Sequence, residues 1–255
     1  ATLPAWVSLN QRRYDEIEPW LEAIAMVEGV PDDALRLFEV HAAIVRSIRD
    51  RHLGELGTAV EWAQRALQLS DSDPEWSVVP TVHAALAQAL ALVGDPETES
   101  VARRAVDLAA VVGHEPALVT AYASLACALE DPTAAEAAAD SALSLVTTPD
   151  LERFHRPALA WFVRARAAFD NGRVGDSHEA AARAIELASI DEPAVLALAW
   201  ALDARVLHLL GRDDERRSAL RSADAVVDEL SDAEWVQEQV RAAHAATRFA
   251  PGPDG

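Results

Sequence analysis

A helix-turn-helix unit recurs along this chain with a period near 40 residues, and that recurrence excludes most folds. Its mark is a stripe of small residues. After the turn Leu53–Gly57 the stripe reads Ala59, Ala63, Ala66, and after Asn171–Gly175 it reads Ser177, Ala181, Ala184. A step of four and then three places all three residues on one face of a helix. Small side chains there let a second helix approach closely. Looser copies make the first stripe positions Ile17, Ala59, Thr98, Ala135, Ser177 and Arg216, at spacings of 42, 39, 37, 42 and 39. A helix pair repeated at such a period leaves one apolar face bare, and the next pair covers it. The expected product is an all-α solenoid of about six antiparallel pairs, continuous over residues 1–255 as one domain.

The pairs can be bounded from turn chemistry. A short helix over Leu3–Asn10 precedes one opening at Tyr14, whose acidic first turn suits the helix dipole. A long helix from about Asp33 to Leu53 ends at Gly54, and its partner closes at Ser70–Pro74. The third pair spans Glu75–Val93 and Glu97–Val112. The fourth follows Pro116, turns at Asp131–Pro132 and stops by Pro149. The fifth spans Glu152–Phe169 and returns to Ile190. The sixth starts at Pro193 and turns at Gly211. A terminal helix, Asp232 to about Arg248, lies behind Ser231-Asp232-Ala233-Glu234, a capping box by pattern. Seven residues before Gly54, Gly94, Gly172 and Gly211 stand Ser47, Ala87, Ala165 and Ala204, all small, where paired helices should cross. Trp161 and Trp200, four residues earlier, are the expected large anchors.

Composition narrows the chemistry. Hydrophobic residues make up 51%, and only 10 glycines interrupt them, so Ala, Leu, Glu and Arg set a helical bias. The formal charge is −20, which repels phosphate backbones and argues against direct nucleic-acid binding. No lysine occurs, which removes P-loop and Schiff-base chemistry. The single Cys127 cannot form an internal disulfide, so a reducing, cytoplasmic setting is expected, with the thiol inert in an Ala/Leu helix. No stretch is long enough to span a membrane. The start at Ala1 and the tail Pro251–Gly255 suggest a piece of something longer.

Trp200, Ala204, Gly211 and the small stripe after them resemble the grammar of tetratricopeptide (TPR) repeats, although the period exceeds their usual ~34 residues. With phrases such as Ile17-Glu18-Pro19-Trp20-Leu21, Ala63-Gln64-Arg65-Ala66-Leu67 and Arg183-Ala184-Ile185-Glu186-Leu187, the chain looks like the sensor region of MalT-like regulators, the large ATP-binding members of the LuxR family. That resemblance implies a right-handed, TPR-like superhelix with a capping helix, excised from a bacterial transcriptional regulator. It implies an inducer bound by the solenoid and control of self-association, possible as a homo-oligomer. It places ATP only in an N-terminal domain absent here, so no cofactor is expected in this segment.

Catalytic signatures are missing. The eight histidines, 41, 52, 83, 114, 155, 178, 208 and 244, form no HExxH and no i, i+4 pair, so no metal site is expected. No GxSxG and no phosphate-cradling loop occurs, and no enzyme is expected. The remaining candidate is a groove lined by the first helix of each pair: Ile48 and Arg51, Gln88, Phe162, Arg166 and Phe169, Arg205 and His208, with Ile44, Ala84 and Ala201 beside them. Rings with planar hydrogen-bonding groups suit a sugar, a metabolite or an extended peptide. Ordinary packing and arginines lying over apolar surface would explain the same residues. Two functions follow. A sensor groove should be small, aromatic and closed by the terminal helix. A scaffold for a partner's peptide or helix should be open and acidic.

Overall fold

The structure, a computed structural model, describes residues 3–26, 28–70, 77–147 and 157–248. The turn expected at 71–74, the helix starts at Glu75 and Glu152, the stop at Pro149, His155 and the tail from Pro251 lie outside them.

Among the described residues the chain is all helical. α1 (Leu3–Asn10) leads through a 3-10 turn, Tyr14–Glu16, into α2 (Ile17–Ala25). Five pairs follow: α3 (Asp32–Leu53) with α4 (Leu56–Ser70), α5 (Val79–Val93) with α6 (Thr98–Val112), α7 (Glu115–Ala128) with α8 (Pro132–Ser144), α9 (Ala158–Asp170) with α10 (Val174–Ala188), and α11 (Pro193–Leu209) with α12 (Asp213–Val227). α13 (Glu234–Arg248) ends the row. Each helix packs on its partner and on the next pair, and the first helices α3, α5, α7, α9 and α11 also touch in sequence, an arrangement consistent with an α-solenoid. None of these helices is long and apolar enough to cross a membrane.

The small stripe lies in the crossings. Ala59, Ala63 and Ala66, Ala135, Ala139 and Ala142, and Ser177, Ala181 and Ala184 are all buried. Ser47, Ala87, Ala165 and Ala204 are buried opposite them. Ser47 Oγ donates to the Ala59 carbonyl at 2.7 Å, and Ser177 Oγ donates to the Ala165 carbonyl at 2.8 Å. These are the same crossing in two repeats, with the serine on opposite partners. The last copy departs: Arg216 is half-buried and donates to the Thr247 carbonyl of α13 at 2.8 Å, so its long side chain seats the terminal helix.

Proline sets several helix starts. Pro80, Pro116, Pro132 and Pro193 sit in the first turns of α5, α7, α8 and α11, where the missing N–H costs nothing. Trp161 and Trp200 are only half-buried against their cores, so they anchor less than a fully enclosed ring would. The capping box of the terminal helix does not form. The helix begins at Glu234, and Ser231 instead pairs through its backbone: its N–H donates to Gly54 O at 2.9 Å and its carbonyl accepts from Leu56 N at 3.2 Å.

That pairing joins the two ends of the row. A Cβ on Gly54, held at φ +83°, would lie 2.8 Å from Leu230, and one on Gly57 would lie 2.5 Å from Asp232. A Cβ on Gly94, at φ +69°, would overlap the Trp235 ring of α13. The segment Glu229–Trp235 therefore rests against the left-handed turn glycines Gly54 and Gly94 and against Gly57 in the first turn of α4.

Candidate functional site

Faces of α3, α5 and α7, with the N-terminal α1, border a cavity of about 470 Å³. α3 contributes His41, Ile48, Arg51 and His52. α5 contributes Thr81, Ala84, Ala85 and Gln88. α7 contributes Pro116, Val119, Thr120 and Ala123. Both the α5 and α7 sets step at the spacing of one helical face. Trp6 and Leu9 of α1 close one side, and Leu159 and Glu192 reach in from later repeats. Trp6 meets the His41 ring edge-on, with centroids 6.4 Å apart.

One end of the cavity is an ion-pair seam between distant repeats. Arg51 binds both carboxylate oxygens of Glu192, and both side chains are buried. His52 lies 3.8 Å from Asp191 and from Glu192, and its Nδ1 is 3.2 Å from the Tyr14 hydroxyl. Arg12 approaches Asp191 at 3.7 Å. His52, Asp191 and Glu192 form a group whose potential ligand atoms lie within 4.8 Å of one another. Histidine spacing along the chain does not reveal it, because its carboxylates lie far along the chain. Two guanidinium groups already meet its two carboxylates, so its chemistry is that of a closed, balanced seam.

The eight residues expected to form one groove lie in several places. Ile48, Arg51 and Gln88 line the cavity together. Arg166 faces a second, polar pocket of about 790 Å³ at the C-terminal ends of α5, α7 and α9, with Asp95, Glu99, Glu130, Asp170 and, from α13, Trp235 and Gln239. There it donates to the Ala126 and Cys127 carbonyls at 3.2 and 3.1 Å, capping α7. Phe162 is buried in the main core. Phe169 packs under the Arg205 guanidinium, 4.4 Å from ring centroid to carbon. His208 is half-buried on α11 and lines neither space. Of the flanking residues, Ala84 lines the cavity, while Ile44 and Ala201 are core. The terminal helix closes the polar pocket rather than the apolar cavity.

Several cavity residues had a sequence signal that a wider reading of the α5 face would have used: Thr81 sits seven before Gln88. His41 likewise sits seven before Ile48 on α3, whereas Trp6 and Glu192 had no such signal, because their places depend on how α1 and the start of α11 fold back on α3. Burial pushes the His41 imidazole below its usual pKa, so the ring stays neutral, and its Nδ1 has no hydrogen-bond partner. Burial also raises the Cys127 thiol, although Arg166 opposes it, which keeps the thiolate scarce.

No protein-family model matches this chain, and no curated protein matches it.

Proposed function

We propose that this chain is a ligand-sensing domain: a right-handed, TPR-like superhelix that holds a small effector in the 470 Å³ cavity and thereby controls the assembly of a larger cytoplasmic regulator of the MalT-like kind. The observation that supports it is the cavity itself. Its size falls within the ~300–1,000 Å³ of small-molecule sites, and its mostly apolar wall carries a few convergent polar groups. It is built from α1, α3, α5, α7, α9 and the start of α11, so a ligand touching it spans the seam between distant repeats. A ligand that fits the closed seam better than the parted one shifts that equilibrium by its difference in affinity.

Binding alone suffices for this role. His178 has Asp203 2.7 Å from Nδ1 and receives Arg212 at Nε2, 2.8 Å away, so that ring has no nitrogen left to activate a nucleophile.

The acidic pocket around Asp95, Glu130 and Asp170 favours a second reading, a scaffold that takes a basic peptide. A thermal-shift screen separates the two. A small molecule at 100 times its Kd should stabilise the fold by ~2.7 kcal/mol and raise Tm, and Ala84→Phe should abolish the shift. Stabilisation only by basic peptides, unaffected by Ala84→Phe, would replace the sensor with the scaffold.

A further inference from the structure

The polar groups on the cavity wall divide by whether the protein already uses them. Ser47 Oγ is spent on the Ala59 carbonyl, and Thr120 Oγ1 lies 3.2 Å from the Pro116 carbonyl of its own helix. His114 Nδ1 accepts from Ala117 N at the start of α7. Arg51 and Glu192 neutralise each other. Asn10 and Ser77 are exposed to solvent, and His52 belongs to the seam, so three groups remain on the walls of α3 and α5. The Gln88 amide and the Thr81 hydroxyl lie two turns apart on one face of α5 and make no hydrogen bond among the described residues. His41, across the cavity on α3, makes none either. Gln88 offers two N–H groups and a carbonyl, Thr81 a hydroxyl, and His41 a neutral ring. Around them the wall is Trp6, Leu9, Ile48, Val119 and alanine.

An ion brought here would find no free opposite charge to replace its water, and an unpaired buried charge is far more costly than an unpaired dipole. A sugar chain would bury many hydroxyls against too few partners. An alcohol, amide or carbonyl on an apolar body would satisfy the groups that the protein leaves open. Resting on the sensor reading above, we infer that the cavity takes an uncharged, largely apolar molecule with one or two hydroxyl, carbonyl or amide groups, read by Gln88, Thr81 and His41.

The neutral fluorophore N-phenyl-1-naphthylamine tests this on the full chain. Its emission should rise on titration, and the rise should be lost in Ala84→Phe and in Ala85→Leu, two fillings of the same space checked for fold by circular dichroism. Decan-1-ol, decanoate and decyltrimethylammonium then compete for the bound probe. The alcohol should displace it at least ~10-fold more effectively than either ion, and Gln88→Leu with Thr81→Val should erase ~10-fold of the alcohol's affinity, the worth of about one hydrogen bond. Equal or better displacement by an ion, with the probe still blocked by the filling variants, overturns the uncharged class and leaves the cavity as a site. An alcohol affinity unchanged in the Gln88/Thr81 variant overturns the assignment of those readers. A probe that does not bind, or binds the folded filling variants as well, overturns the cavity reading itself.

Discussion

Ser47 and Ser177 show what a single residue can carry in a repeat. Each places a hydroxyl in the helix crossing and bonds the carbonyl of the facing helix. These positions were legible because they follow from helical spacing and the turn glycine, both local properties. Arg51 and Glu192 are the opposite case. The sequence marked Arg51 only as a groove lining, and nothing in it pointed to a carboxylate 141 residues away. Because both side chains are buried, removing one strands the other's charge. Arg51→Met is expected to cost ~3–5 kcal/mol in urea unfolding, and Arg51→Met with Glu192→Leu should recover most of that, since the pair's desolvation is removed with its attraction. A double variant no better than the single one would show that the seam's geometry, not its charge, holds the ends.

Helices were read better than their ends. α3, α4 and α6 fall within a residue or two of their expected bounds because glycine and small-residue signals frame them. α5 runs from Val79 with Pro80 in its first turn, and the start expected at Glu75 lies outside the described residues. α13 starts at Glu234, two residues after the expected Asp232, because Ser231 spends its backbone on Gly54 and Leu56, partners outside its own segment. Gly94→Ala tests the seat of that helix. A methyl there meets the Trp235 ring and must also hold φ at +69°, so α13 should loosen, with faster amide exchange over Glu234–Arg248 than over α7. The docking of α2 on α3 has its own signature. Arg46 hydrogen-bonds Glu18, with Arg49 beside it, and these guanidinium groups hold the Glu18 carboxyl below its ordinary 4.5. A depressed carboxylate pKa stabilises the fold above the unfolded value and is lost as pH falls through the folded one. Stability should therefore drop below pH 4.5, and Glu18→Gln should be less stable at neutral pH yet show a smaller drop on acidification.

At the scale of the molecule, the period of the repeat announced a helical row, and the row is what the chain makes. The period did not announce that the row's ends meet, because closure accumulates from small rotations between pairs that no single pair encodes. The groove was therefore expected as one line of first-helix residues, whereas Ile48, Arg51 and Gln88 share a cavity that Phe162, Arg205 and His208 do not line. The meeting of Gly54 with Ser231 and of Arg51 with Glu192 changes how such a chain comes apart. An open stack of repeats can peel from either end, one unit at a time, because each unit answers only to its neighbours. Here the turn of the first full pair holds the segment that leads into the last helix, and Arg51 holds Glu192, so that pair and that segment are not free places to begin. Assembly must wait for its longest-range contact, with the entropy of that loop spent before the seam repays it. The chain is a hoop rather than a stack: slow to fasten, and inclined to open all at once.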